Sequence, residues 1–235
     1  MFKRAFVCAF AAGITFGAHF AAAQEPSDPL EGFNRGAQAF NDTADRFVLK
    51  PAAKGYKKVV PETLRRGVGN FFDNLFYPLV IVNQLLQGKV KEGVSDTGRF
   101  LMNSTLGLGG LFDPASHAGM PAHEEDFGQT FAKWGIGPGP YLVIPLLGPS
   151  DVRDGTGSLL TYAVNPTRYI ITDETARYSL MALNFVQLRA GLLDAEKLIS
   201  GDRYIFIRDA FLQRREFLNK DGQVDDEFLD ENWDE

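Results

Sequence analysis

The chain has 235 residues, 45% of them hydrophobic, with 30 acidic against 24 basic side chains and a formal net charge of −6. That balance argues against a nucleic-acid partner, which needs clustered positive charge to displace counterions. It also disfavours unassisted attraction to an anionic lipid surface, so any membrane contact has to rest on apolar area.

Lys3 and Arg4 precede an apolar, small-residue stretch at 5–18, and Ala21-Ala22-Ala23 supplies a small-x-small cleavage pattern. The expectation is a removable signal peptide over 1–23 that leaves Gln24 first. The alternative, an uncleaved anchoring helix, is disfavoured because the stretch is shorter than the roughly 18–20 residues a span needs. Cys8, the one cysteine, sits inside the apolar stretch rather than just after it. The mature chain is therefore expected to lack a disulfide, a thiolate, a cysteine-ligated metal and a diacylglycerol anchor. All 30 acidic residues follow position 23 against 22 basic ones, a formal net charge of −8. The rest fits one domain, 24–218, before a tail at 219–235 that reads as disordered; its last stretch, 225–235, holds seven acidic residues and no basic one.

The pattern within 24–218 is helical nearly throughout. Asp28-Pro29 reads as N-cap and first-turn proline. Leu30, Phe33, Ala37, Phe40, Ala44 and Phe47 follow at steps of three and four, with Glu31, Arg35, Gln38 and Asp42 on the other side, and Pro51 is expected to close the helix. Pro61 opens a second helix through Leu64, Val68, Phe71 and Leu75, which Pro78 is expected to interrupt. The apolar segment after Pro78 is too short to cross a bilayer. It is either a core helix, the favoured reading for a soluble protein, or one lying in a membrane interface. Residues 89–105 form a further helix carrying Asp96, Arg99, Asn103 and Ser104.

Glu124–Trp134 reads as a short helix with acidic residues at its positive end. In 135–150 the prolines at 138, 140 and 145 forbid a regular helix, so Tyr141–Leu147 is expected to be extended chain or a small hairpin. Ser150 is expected to cap one helix and Thr172 a long one over roughly 173–199. The centre of the long helix is apolar on more than one side, which means burial or lipid contact. A last helix carries Tyr204, Ile207, Phe211 and Leu218 with Arg203, Arg208, Arg214 and Arg215.

Motifs for chemistry are scarce. His117 and His123 with Glu124, Glu125 and Asp126 match no zinc spacing. Gly135-x-Gly137-x-Gly139 lacks a preceding strand and the third glycine of a dinucleotide fingerprint. Aligning Gly222 with a calcium-loop glycine puts Phe217 and Phe228 where carboxylates are required. Ser150-Asp151-x-Arg153-Asp154 is the densest polar cluster beside an apolar run; Asp154 could be a base, but capping and ion pairing at a helix start account for it. No nucleophile elbow or P-loop is present, and the expectation is a non-enzyme with no cofactor and no metal.

Seven ordered blocks carry a resemblance: DPLEGFNR (28–35), GVGNFFDNL (67–75), NQLLQGK (83–89), RFLMNSTLGLGGLFDPA (99–115), EDFGQTFAKWG (125–135), GPYLVIPLLGPSDVRDGTG (139–157) and RYIFIRDAFLQRREF (203–217). Together they resemble the MlaA (VacJ) family of Gram-negative outer-membrane phospholipid-transport proteins. The resemblance implies a mainly α single domain, its amphipathic helices arranged as a ring in the inner leaflet of the outer membrane beside a trimeric porin. A polar-lined channel removes phospholipid misplaced in the outer leaflet and passes it to a periplasmic MlaC-type carrier. Family members are commonly acylated at a cysteine, from which Cys8 departs.

The matching blocks suggest a lipid pathway near Asn34, Phe40 and Asn41, the Tyr141–Leu147 segment with Tyr141 and Leu142, and Asp151 with Arg153; ordinary capping and packing are the alternative for each. A polar lining suits a headgroup, which is costly to drag through hydrocarbon unpartnered. Competing readings are a soluble periplasmic lipid carrier and a periplasmic hydrolase.

Overall fold

The computed structural model describes residues 28–223. The expected signal peptide, 1–23, and the acidic run 225–235 lie outside the described residues.

Helix α1 (Glu31–Ala44) begins two residues later than Asp28-Pro29 suggests. Asp28 does not cap it. Its carboxylate instead accepts the Leu30 N–H at 3.0 Å and the Asn34 amide at 3.3 Å, closing a turn ahead of the helix. Pro51 does not end the segment either. A five-residue π-helical stretch, Asp45–Leu49, runs directly into α2 (Lys50–Val59), and the Lys50 N–H bonds to the Asp45 carbonyl. A proline ring clashes with the carbonyl four residues back and offers no N–H. The wider π turn falls just where that carbonyl would obstruct, so one continuous helical rod spans 31–59.

Pro61 does open α3 (Glu62–Leu86), but this helix continues through Pro78 for 25 residues. An interior proline costs about 3 kcal/mol. Here α3 packs antiparallel along α4 (Val90–Thr105), and that shared face offsets the cost. Gly88, at φ 81°, makes the left-handed turn between them.

The short α5 (Pro114–His117) and α6 (Phe127–Lys133) follow, capped by the side chains of Asp113 and Asp126. The Tyr141–Leu147 segment is part of a two-stranded antiparallel hairpin, β1 (Tyr141–Ile144) with β2 (Gly148–Asp151), Tyr141 opposite Asp151 and Ile144 opposite Gly148. Asp151, not Ser150, caps α7 (Val152–Ala163), accepting the Asp154 N–H at 2.7 Å; Ser150 is a strand residue. After α8 (Thr167–Ile170), Asp173 rather than Thr172 caps α9 (Glu174–Leu192), which gives way to a 3₁₀ turn at Ala195–Leu198. Helix α10 (Arg203–Asn219) closes the described chain.

The apolar core is small. Ala37, Tyr141, Val143 and Tyr204 form a buried cluster, with Ile205, Phe211 and Leu212 packed around them, where α1, the hairpin and α10 meet; Phe72, Tyr77 and Phe127 are buried apart from it. Elsewhere α2 lies along α9 and α6 crosses α7.

Candidate functional site

The interior is polar and the surface is apolar. The largest fully buried side chains are Gln84, Asn34, Asn83, Thr130, Asp96 and Asp151, every one polar. On the outside Phe33, Phe40 and Phe47 form a stripe two turns apart along α1 and the π stretch, the last of them 73% exposed. Val82, Leu85 and Leu86 of α3, Val94 and Leu101 of α4, Leu159 of α7, and Phe185, Leu188 and Leu192 of α9 are exposed as well. Leaving one such side chain in water forfeits about 1.5–3 kcal/mol of burial, and contiguous apolar surface on this scale marks a membrane or protein contact. The expected core helix after Pro78 is thus inverted: its amides Asn83 and Gln84 are inside, while Val82, Leu85 and Leu86 are outside. None of the described helices is long and apolar enough to cross a membrane.

The buried polar groups partner one another. On α4, Asp96, Arg99 and Asn103 face α3 and the 113–123 loop. Asp96 accepts the Tyr77 hydroxyl at 2.9 Å and the Gln84 amide at 3.4 Å, and pairs with His123 Nδ1 at 2.9 Å. That hydrogen bond to Asp96 raises the His123 pKa above its ordinary 6.5 against partial desolvation. Arg99 donates to Asp113 at 2.7 Å, to Ser116 at 2.9 Å and to the Met120 carbonyl at 2.9 Å. Thr130 donates to Asn83 at 2.7 Å, tying α6 to α3.

A second cluster joins α10 to the starts of α6 and α7. Arg215 reaches Asp126 at 2.6 Å and Asp154 at 2.8 Å beside a cavity of about 140 Å³. Gly128 and Gly157 permit this approach, because a Cβ on Gly157 would come within 2.6 Å of the Gly128 nitrogen. Burial pushes the Asp151 carboxyl pKa up, partly countered by the Asp154 N–H.

The hairpin is held by two amides one heptad apart on α1. Asn34 donates to the Tyr141 carbonyl at 3.0 Å and accepts the Val143 N–H at 2.8 Å. Asn41 donates to the Ile144 carbonyl at 3.1 Å and accepts the Leu146 N–H at 2.6 Å. The Asn34 side chain bonds to β1 as a neighbouring strand would, while Asn41 holds the turn, where the Ile144 carbonyl also accepts the Leu147 N–H at 3.2 Å. Leu146 is left-handed at φ 67°, a conformation costly for a branched side chain, and the bond to Asn41 helps hold it there. Below the hairpin the Tyr204 hydroxyl bonds to Asp28. Burial, then that carboxylate, push its pKa up to about 12, so it stays a donor.

A family model described as MlaA lipoprotein matches residues 26–218. The chain belongs to the MlaA family. The Escherichia coli (strain K12) protein called "Intermembrane phospholipid transport system lipoprotein MlaA" is 34% identical over 207 residues, covering 86% of this chain and 82% of its own. Its Shigella flexneri counterpart is 36% identical over the same shares. A Rickettsia typhi protein is 39% identical over 196 residues, 82% of this chain and 78% of that one. A solved structure described as "Structural basis for maintenance of bacterial outer membrane lipid asymmetry" superimposes with a TM-score of 0.72 at 34% identity, covering 83% of this chain and 100% of that one. The mainly α fold expected of an MlaA-family chain is the one observed.

Within this MlaA-family chain the pathway residues separate. Asn34, Asn41, Tyr141 and Leu142 come together at the joint of α1 and the hairpin. Asp151 lies across from Tyr141 on β2, at the open end of the hairpin, and Arg153 follows it in α7; both are buried, with Arg153 donating to Asp154 at 3.2 Å. Phe40 does not join them; it lies in the outer stripe, 54% exposed. Sequence reasoning missed the Tyr77–Gln84–Asp96–His123 network. Asp96 and His123 are 27 positions apart, and the one available signal was the run of Asp96, Arg99 and Asn103 at steps of three and four on one helix face.

Proposed function

We propose that this chain is a membrane-embedded component of intermembrane phospholipid transport, lying in one leaflet of the outer membrane and returning misplaced outer-leaflet phospholipid toward the periplasm. The observation that carries the reading is the inversion of polarity: amides and charges inside, large apolar side chains outside, and no described helix able to span. Such a body is stable with its flanks against acyl chains, while its paired polar interior offers a headgroup hydrogen-bonding partners and lowers the cost of moving it through hydrocarbon. The E. coli and S. flexneri relatives are named for the same transport.

In this reading a trimeric porin supports the ring, and a periplasmic carrier of MlaC type receives the lipid. Export proceeds by cleavage after Ala23, with Cys8 too early for acylation. The Asn34–Asn41 joint, with Tyr141 and Leu142, borders the lipid path. Asp151 and Arg153 fix the open end of the hairpin, where β2 runs into α7.

Deleting the gene should raise outer-leaflet phospholipid, read by labelling of surface-exposed headgroups, and Asn41→Leu should reproduce part of the defect at normal protein level. Unchanged asymmetry in the deletion overturns the function; unchanged asymmetry in Asn41→Leu alone overturns only that residue's role. Purification from outer membranes in mild detergent, followed by mass spectrometry, tests the porin and the mature N-terminus. Fractionation separates this reading from a soluble carrier, since the embedded protein stays with membranes through a high-salt wash.

A further inference from the structure

Although the chain is acidic overall, one stretch is not. From Arg46 through Arg66, both included, there are seven basic residues and one acidic residue, Glu62. Lys50, Lys54 and Lys57 follow a four-then-three spacing that puts their side chains on one face of α2. That face borders an open cleft of about 460 Å³, whose other wall is Asp194, Glu196 and Lys197 beside the 3₁₀ turn.

The carboxylates in the cleft are already engaged. Glu196 pairs with Lys50 at 2.8 Å and with Arg189 at 2.7 Å, while Asp194 is shared between Lys57 at 2.5 Å and Lys197 at 2.9 Å. Those hydrogen bonds from Lys57 and Lys197 hold the Asp194 carboxyl down at about 2, so it remains ionised. Four ammonium groups against two occupied carboxylates leave the cleft positive. Lys54 projects into it, exposed and with no hydrogen bond or ion pair among the described residues. Apolar side chains flank the same end of the rod: Phe47, Val48, Val59 and Leu64 are all more than 60% exposed. Lysines beside outward aliphatic and aromatic groups are what the boundary between acyl chains and headgroups selects.

We propose that the Lys50–Lys54–Lys57–Lys197 cleft binds the phosphate of an anionic glycerophospholipid headgroup, and that this basic end of the rod, opposite the hairpin, sits in the headgroup layer. The site rests on the membrane-embedded reading above but does not require that the bound lipid be transported.

The test uses the full chain in uncharged detergent, with dioctanoyl phosphatidylglycerol, dioctanoyl phosphatidylcholine and inorganic phosphate as probes and native mass spectrometry with titration calorimetry as readouts. The wild type should bind the glycerol lipid at least about tenfold more tightly than the choline lipid. Lys54→Glu should remove about that factor, while Lys91→Glu, an exposed lysine elsewhere, should not. Lys54→Gln should fall between, and circular dichroism should match wild type because the side chain carries no internal bond. Equal binding of both lipids, unaffected by Lys54→Glu, overturns the site in favour of apolar contact alone. Displacement of lipid by inorganic phosphate at the lipid's own concentration overturns the lipid assignment. Lost headgroup binding in Lys54→Glu with preserved asymmetry in cells leaves the transport function standing. Intact binding in cells whose gene deletion changes no asymmetry leaves the site standing and the function not.

Discussion

Asn34 makes two hydrogen bonds to β1 from a fully buried position, so its removal strands the Tyr141 carbonyl and the Val143 N–H. Buried backbone groups without partners cost about 1–3 kcal/mol each. Asn34→Ala should lower stability in detergent by about 2–4 kcal/mol and open the hairpin to protease, seen as early cleavage within 141–150. At the other polar cluster, His123 has a raised pKa because Asp96 accepts from its ring. Its contribution is therefore fully present below its unfolded value near 6.5 and fades as pH rises through the folded value. The stability gap between wild type and His123→Gln, measured by denaturant titration, should be widest at mildly acid pH and narrow above neutrality. Legibility at this scale was uneven. The heptad separation of Asn34 and Asn41 could be read as one helix face, but the partner they bind lies more than a hundred positions away. Phe40 carries the neighbouring number and the opposite orientation.

Elements are legible where periodicity speaks and deceptive where a single residue looks like punctuation. Pro51 and Pro78 both look like stops. One is absorbed by a π turn and the other by packing along α4, and neither circumstance is visible in a window of local sequence. Ser150 and Thr172 were each one residue short of the true cap, because an adjacent aspartate competes for the same duty. Glycine roles were the hardest to read: nothing in the local sequence marks Gly157, yet it lets α6 and α7 touch. Gly157→Ala should force the two backbones apart and cost about 1–3 kcal/mol, checked as a lower melting temperature in detergent. Gly155→Ala, with only ordinary contacts, serves as the control.

For the whole molecule, hydropathy identified which faces are apolar but not which solvent they meet. The same stripe of Phe33, Phe40 and Phe47 fits a water-soluble bundle or a lipid-facing rim, and only the identity of the buried side chains decides between them. Charges placed on the rim test this directly. Leu188→Glu combined with Leu159→Glu changes two side chains that are 53% and 71% exposed, so folding should survive in detergent. The protein should then shift several-fold toward the soluble fraction after a high-salt wash.

An interior built of amides and ion pairs has a calorimetric consequence. Heat-capacity change on unfolding grows with apolar surface newly hydrated and shrinks with polar surface newly hydrated. In this chain much of the apolar surface is outside before unfolding begins, and much of what unfolding uncovers is polar. Its heat-capacity increment in detergent should therefore fall below the roughly 12–15 cal/mol/K per residue of ordinary domains, and its free-energy curve should be correspondingly flat with temperature. A protein of this kind gains little from warming or cooling toward an optimum.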